Sequence, residues 1–132
     1  MALKSSMKIL LADEAPGMRQ SIKKMLTDLG FKNVSEAGDG EKAWNIILES
    51  ATEKPVEFII CEWNLSKTSG LELLKKIRAN DTFKKIAFLM MTSDSDQQKI
   101  VQAVKEGVNN VIVKPFSAQT LIEKIDKIFN KK

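Results

Sequence analysis

The chain contains no histidine. That excludes imidazole general-base catalysis, a phosphohistidine of its own and the usual zinc sites, all of which need that ring. It has one cysteine, Cys61, so no internal disulfide can form. Set in the most apolar stretch of the sequence, Cys61 reads as a packing residue rather than a redox centre. No apolar run approaches the roughly 20 residues that span a bilayer. The first residues, Met1 to Lys8, lack the apolar core of a signal peptide, so a cytoplasmic location and no membrane partner are expected. No Gly/Ser-rich or Pro-rich linker, internal repeat or low-complexity tract interrupts the 132 residues. This predicts one domain over 1–132 with no output domain. A chain of that length buries about two-thirds of its unfolded surface and can hold a core without staples.

What is present is ordinary for a globular protein: 43% hydrophobic and 29% charged residues, with a net charge of +4. Lys124, Lys127, Lys131 and Lys132 crowd the C-terminus. They fall on the polar face and end of a helix, where cations suit the dipole, so nucleic acid is not the expected partner.

The rest of the chain is organised around Phe58-Ile59-Ile60-Cys61-Glu62-Trp63-Asn64. Four apolar residues run straight into a carboxylate, the pattern of a strand buried on both faces with a charge at its C-terminal end. Similar short runs occur at 7–12, 34–37, 86–91 and 111–113. Between them lie helical patterns with start and stop signals. Pro16 opens the first helix, with Met18, Ile22, Met25, Leu26 and Leu29 on its apolar face and Gly30 as its stop. Asp39 caps the second, which carries Ala43, Trp44, Ile47, Leu48 and Ala51 on one side before Lys54-Pro55. Ser69 and Glu72 have capping-box spacing ahead of Leu71, Leu74 and Ile77, and 80–85 reads as a polar loop. Ser95 and Gln98 have the same spacing ahead of Ile100, Val101 and Val104, with Gly107 as a stop. Ser117 caps the last helix, and Phe116 with Leu121 has the spacing of a hydrophobic staple. Strands alternating with helices five times predict a doubly wound α/β fold, with a parallel sheet covered on both faces and right-handed crossovers.

All strand C-termini of such a sheet share one edge, where open α/β sheets place their ligand sites. That edge collects Asp13 and Glu14, Glu62, Thr92 and Lys114 from four strand ends. Carboxylate oxygens suit Mg²⁺, and Thr92 and Lys114 suit phosphoryl oxygens by hydrogen bond and point charge. An Asp at position 62 could accept a phosphoryl group there. Lys114 is also open to a plainer reading, as a bridge to Asp13 or Glu62. Trp63 is either a surface aromatic or a lid over the acids.

Leu10-Leu-Ala-Asp-Glu14, Glu62-Trp-Asn64, Gly70-Leu-Glu-Leu-Leu-Lys-Lys-Ile-Arg78, Met90-Met-Thr92 and Val113-Lys-Pro-Phe116 together resemble response-regulator receiver domains, most of all the stand-alone chemotaxis regulators of the CheY kind. The resemblance spans nearly the whole chain. It implies a flavodoxin-like, CheY-like sheet of five parallel strands in the order 2-1-3-4-5, an order that the pattern alone does not supply. It also implies a role in two-component, phosphorelay signalling rather than an enzyme's. Asp13 and Glu14 are then metal residues together with Glu62 and the backbone carbonyl of Asn64. Thr92 and Lys114 contact the phosphoryl group, and Lys114-Pro115 is cis. The implied partners are a histidine kinase or a flagellar or chemotaxis component, docking on the face of helix 4, strand 5 and helix 5.

Several positions depart from that pattern. Glu62 replaces the phospho-accepting Asp, Val111 stands where the family has a switch aromatic, and Ser66 and Ser69 replace the usual Pro and Asp. In-line attack is sensitive to shifts of about 1 Å, and Mg²⁺ demands near-ideal octahedral geometry. The extra methylene therefore predicts a receiver-like interaction module that is not phosphorylated or is held active-like, with Mg²⁺ binding weak or lost. Two alternatives stand beside it: a Mg²⁺-dependent phospho-acceptor in a phosphorelay, and a flavodoxin-like cofactor-binding protein. Against the second, the loop Asp13-Glu14-Ala15-Pro16-Gly17 is acidic and has one glycine, a poor phosphate cradle.

Overall fold

Each short apolar run becomes a strand because it is too short for a buried helix and is closed by polar or turn residues. The computed structural model describes residues 6–93 and 97–130. In chain order they form β1 (Lys8–Ala12), α1 (Pro16–Asp28), β2 (Asn33–Ala37), α2 (Gly40–Ser50), β3 (Phe58–Glu62), α3 (Gly70–Arg78), β4 (Ala87–Thr92), α4 (Gln97–Lys105), β5 (Asn110–Val113) and α5 (Ala118–Phe129). The five strands are parallel and lie in the order β2-β1-β3-β4-β5. This is the flavodoxin-like arrangement that the resemblance implied. Strand limits differ from the sequence expectation by a residue at one end or the other: β4 runs to Thr92 and β5 begins at Asn110.

The sheet divides the core into two layers. One side holds Leu10, Ile59, Cys61, Phe88 and Met90 against α2 and α3 residues such as Ile47, Leu73 and Leu74. The other holds Ile9, Leu11, Phe58, Ile60 and Met91 against Ile22 and Leu26 of α1 and Leu121 and Ile125 of α5. Neighbouring residues along β1 and β3 feed opposite layers, which is why these strands read as continuous apolar runs. Each fully buried Leu, Ile or Phe contributes about 1.5–3 kcal/mol of transfer free energy.

Helix termini follow their signals. Asp39 accepts from the Lys42 amide, Ser117 from the Thr120 amide, and Ser69 with Glu72 makes both bonds of a capping box. Gly30 and Gly107 adopt φ of 100° and 94° after α1 and α4, a region that favours glycine. The Ser95–Gln98 pairing falls on residue 95, outside the described residues, as do Lys131 and Lys132.

Some expected faces are corrected. On α2 the inward stripe is Ala43, Ile47 and Ser50, while Leu48 is 43% exposed and Ala51 lies past the helix. A step of one residue turns a helix by about 100°, so Leu48 points away when Ile47 points in. On α3 Leu73, absent from the expected stripe, is fully buried, and Leu71 is half-buried. On α4 Val101 and Val104 are 50% and 60% exposed, and Ala103 is the buried residue. The polar loop 80–85 hides Phe83, which meets the Trp44 ring edge-on at 6.0 Å between centroids. Lys114-Pro115 is cis. No described helix is long and apolar enough to cross a membrane.

Candidate functional site

Sheet register decides which side chains reach the common edge. Ala12 lies level with Ala37 and Cys61, Glu62 with Met91, and Thr92 with Val113. Ladder bonds continue one residue past the strands. The Asp13 amide donates to Ala37 O at 3.0 Å, the Trp63 amide to Met91 O at 2.8 Å and the Lys114 amide to Thr92 O at 2.7 Å. These bonds hold the bases of Asp13, Glu62 and Lys114 on a rigid platform.

The three side chains meet there. Lys114 Nζ lies 2.9 Å from Asp13 Oδ2 and 3.2 Å from Glu62 Oε2. Asp13 is fully buried, and the side chains of Lys114 and Glu62 are 8% and 17% exposed. The other Asp13 oxygen accepts from the Ala15 amide at 2.9 Å. Glu62 Oε1 accepts from the Glu14 amide at 3.2 Å. One carboxylate thus ties the end of β3 to the loop after β1 and to the residue after β5. Among the described residues every buried side-chain nitrogen or oxygen has a partner.

Burial opposes the charge on Lys114, but the hydrogen bonds and charges of Asp13 and then Glu62 outweigh it and hold the ammonium above its ordinary range. Cys61 lies beside the cluster. Burial first, then the charges of Glu62 and Asp13, push its thiol far above the usual value, which matches a packing residue.

The remaining expected residues are placed differently. Glu14 Oε1 turns to the Ser66 amide at 2.9 Å, so Asp13, Glu14 and Glu62 do not converge on one point. Among the described residues no three His, Cys, Asp or Glu side chains are grouped to hold a metal. In this arrangement the residues do not fit Mg²⁺, because an ammonium already stands between the two inner carboxylates and would repel a dication. Thr92 is buried at the end of β4, Asn64 is exposed just past β3, and Val111 is half-buried on β5. Trp63 is half-buried against the α2–α3 side of the core, with Lys99 Nζ 5.7 Å from its ring centroid.

Arg19 belongs to the site although no sequence signal marks it. Its Nη1 donates to the Asp13 carbonyl at 2.8 Å, and its Nε bonds Glu36 Oε1 on β2 at 3.1 Å. Only the packing of α1 beside β2 reveals that pairing. Gly70 has a similar hidden role. Its amide donates to Trp63 O at 2.9 Å, and a Cβ there would lie 2.3 Å from the Glu62 carbonyl oxygen.

Known proteins supply a frame for this geometry. The family model described as the response regulator receiver domain matches residues 9–126. The chain is 42% identical over 129 residues to chemotaxis protein CheY-3 of Vibrio cholerae, covering 98% of this chain and 96% of that relative. It is 41% identical over 125 residues to chemotaxis protein CheY of Pseudomonas aeruginosa, covering 95% and 98%. Among solved structures, the chemotaxis response regulator CheY4 of Vibrio cholerae is similar, with a TM-score of 0.81 and 28% identity over 93% of this chain and 98% of that one.

Proposed function

The chain belongs to the response regulator receiver family, as a CheY-like domain of two-component signalling, and from that premise we propose that it works as a protein–protein interaction module whose site is held closed by Glu62 rather than by a transferred phosphoryl group. The observation that carries this reading is the full engagement of the Glu62 carboxylate, one oxygen on Lys114 Nζ and the other on the Glu14 amide. A carboxylate committed in this way is a poor nucleophile. It is also one methylene longer than the family's acceptor, which spoils in-line placement. It reaches Lys114 as a phosphoryl oxygen would, so the surface is active-like. The imitation is partial, since one charge replaces about 1.5 to 2 and two oxygens replace three.

In this reading Mg²⁺ is not required, because Lys114 supplies the positive charge between the acids. The chain binds and does not turn over a substrate. Its docking face is α4, β5 and α5, where Val101, Val104 and Val113 are exposed. The partner is a histidine kinase or a component of the flagellar or chemotaxis machinery.

Intact-mass spectrometry after incubation with a small phosphodonor and Mg²⁺ tests the proposal. The wild-type mass is expected to stay unchanged, while Glu62→Asp gains one labile phosphoryl adduct. Efficient acid-labile labelling of the wild-type protein at Glu62 would overturn it in favour of a working phospho-acceptor.

A further inference from the structure

We propose that Trp63 is a positioning residue that couples the state of Glu62 to the seating of α4. Trp63 follows Glu62 directly, and its backbone is pinned on both sides, by Met91 O at 2.8 Å and by the Gly70 amide at 2.9 Å. Its position therefore moves with the strand end that carries Glu62. Its ring extends the other way, beneath α4, where Lys99 Nζ lies 5.7 Å from the ring centroid. A contact of this kind between a cation and an indole face is attractive. One residue thus spans from the acid cluster to the first turn of α4.

Two further observations make this contact consequential. First, α4 is lightly held: of residues 97–105 only Ala103 is fully buried, whereas the equally long α3 buries Gly70, Leu73, Leu74 and Ile77. A helix with one buried residue has its position set by few contacts. Second, Trp63, Met90, Thr92 and Val111 meet Lys99, Ile100 and Ala103 of α4 around a gap too small to hold a water molecule. Trp63 is the largest of these side chains, with Met90 and Val111 the smaller apolar residues contributed by the strands. The indole has no free space in which to absorb a displacement of the Glu62 strand end, so such a displacement is passed to α4 through Lys99. Such coupling runs through one contiguous contact with two ends that can be changed independently. Its use in signalling rests on the docking role proposed for the α4 face; the coupling itself does not.

Hydrogen exchange of the full chain, followed by mass spectrometry, tests the coupling as a double-mutant cycle. Glu62→Gln removes one of the two carboxylate charges that hold Lys114. It is expected to raise exchange of the amides of 97–105 by about threefold or more, with the central strands unchanged, as contacting sites couple by such factors. In a Trp63→Leu background the same substitution is expected to change α4 by less than half as much. If Trp63→Leu does not fold, Lys99→Gln serves as the background and is judged by the same criterion. An undiminished response in the deciding background, or no α4 response to Glu62→Gln in the parent, would overturn the proposal. No partner is needed for this measurement. Its failure would leave the docking face standing, and a partner mapped to another face would leave the coupling standing.

Discussion

Glu62 and Lys114 stand 52 positions apart in the chain and 3.2 Å apart in space, carboxylate to ammonium. The same ammonium is 2.9 Å from Asp13, so one cation is shared by two acids on different strand ends. One cation thus serves two carboxylates, and that makes the members of the cluster unequal. Asp13 is wholly buried and depends on Lys114, while Glu62 is 17% exposed and can be partly rehydrated.

Lys114→Met leaves the Asp13 charge buried without its counter-ion and is expected to cost about 3 kcal/mol. Glu62→Gln leaves the Lys114–Asp13 pair intact and is expected to cost about 1 kcal/mol. Urea unfolding of the two variants beside the wild type gives the order. A larger loss for Glu62→Gln would show that Glu62, not Asp13, is the main partner of Lys114.

The raised pKa of Lys114 fixes the sign of an alkaline effect. A lysine whose folded value lies above its unfolded one stabilises fully below the unfolded value, near 10.4, and loses that contribution as pH rises through the folded one. The stability gap between wild type and Lys114→Met should be level from about pH 7 to about pH 9 and narrow above about pH 11. Denaturation curves across that range check it, and a gap already closing near neutrality would contradict the assignment.

Gly70→Ala tests the support beneath the site. The added Cβ would lie 2.3 Å from the Glu62 carbonyl oxygen and 3.0 Å from the Trp63 Cα, both backbone atoms that cannot swing aside. A loss on the order of 2–3 kcal/mol is expected from this overpacking. Gly17→Ala, with nothing within 4 Å of the new atom, serves as the control and should lie within about 0.5 kcal/mol of wild type. Thermal unfolding of the two variants compares them.

Arg78 offers a test at the opposite end of the sheet. Its guanidinium donates to the carbonyls of Gly107, Lys84 and Ile86 and to Asn109 Oδ1, which also accepts from the Phe88 amide. Arg78→Met keeps the aliphatic stem but leaves these acceptors without their donor, and about 2–3 kcal/mol should be lost. Arg78→Lys should recover only part, because one ammonium cannot reproduce the planar fork. Chemical denaturation of both variants measures the difference.

Much of the fold was legible because its signals are local. Ser69 with Glu72, Asp39, Ser117, Gly30 and Gly107 each act within a few residues, and their caps and turns form where the spacing places them. Faces of helices were harder to read. Val101 and Val104 look like an inward stripe in sequence, yet α4 lies with Ala103 inward. Which apolar residues of a short helix turn inward depends on the neighbour available to cover them, and that neighbour is distant in the chain.

By itself the sequence determined the alternation of strands and helices and the gathering of Asp13, Glu62, Thr92 and Lys114 at strand ends. Period, capping chemistry and the shared direction of parallel strands suffice for those. Tertiary structure decided how the gathered charges pair. It placed Lys114 between Asp13 and Glu62, turned Glu14 aside to Ser66, brought Arg19 onto the Asp13 carbonyl and set Trp63 beneath α4. Apart from the Arg19 bond, those outcomes join residues tens of positions apart at about 3 to 6 Å, set by sheet register and helix packing, which no local pattern encodes.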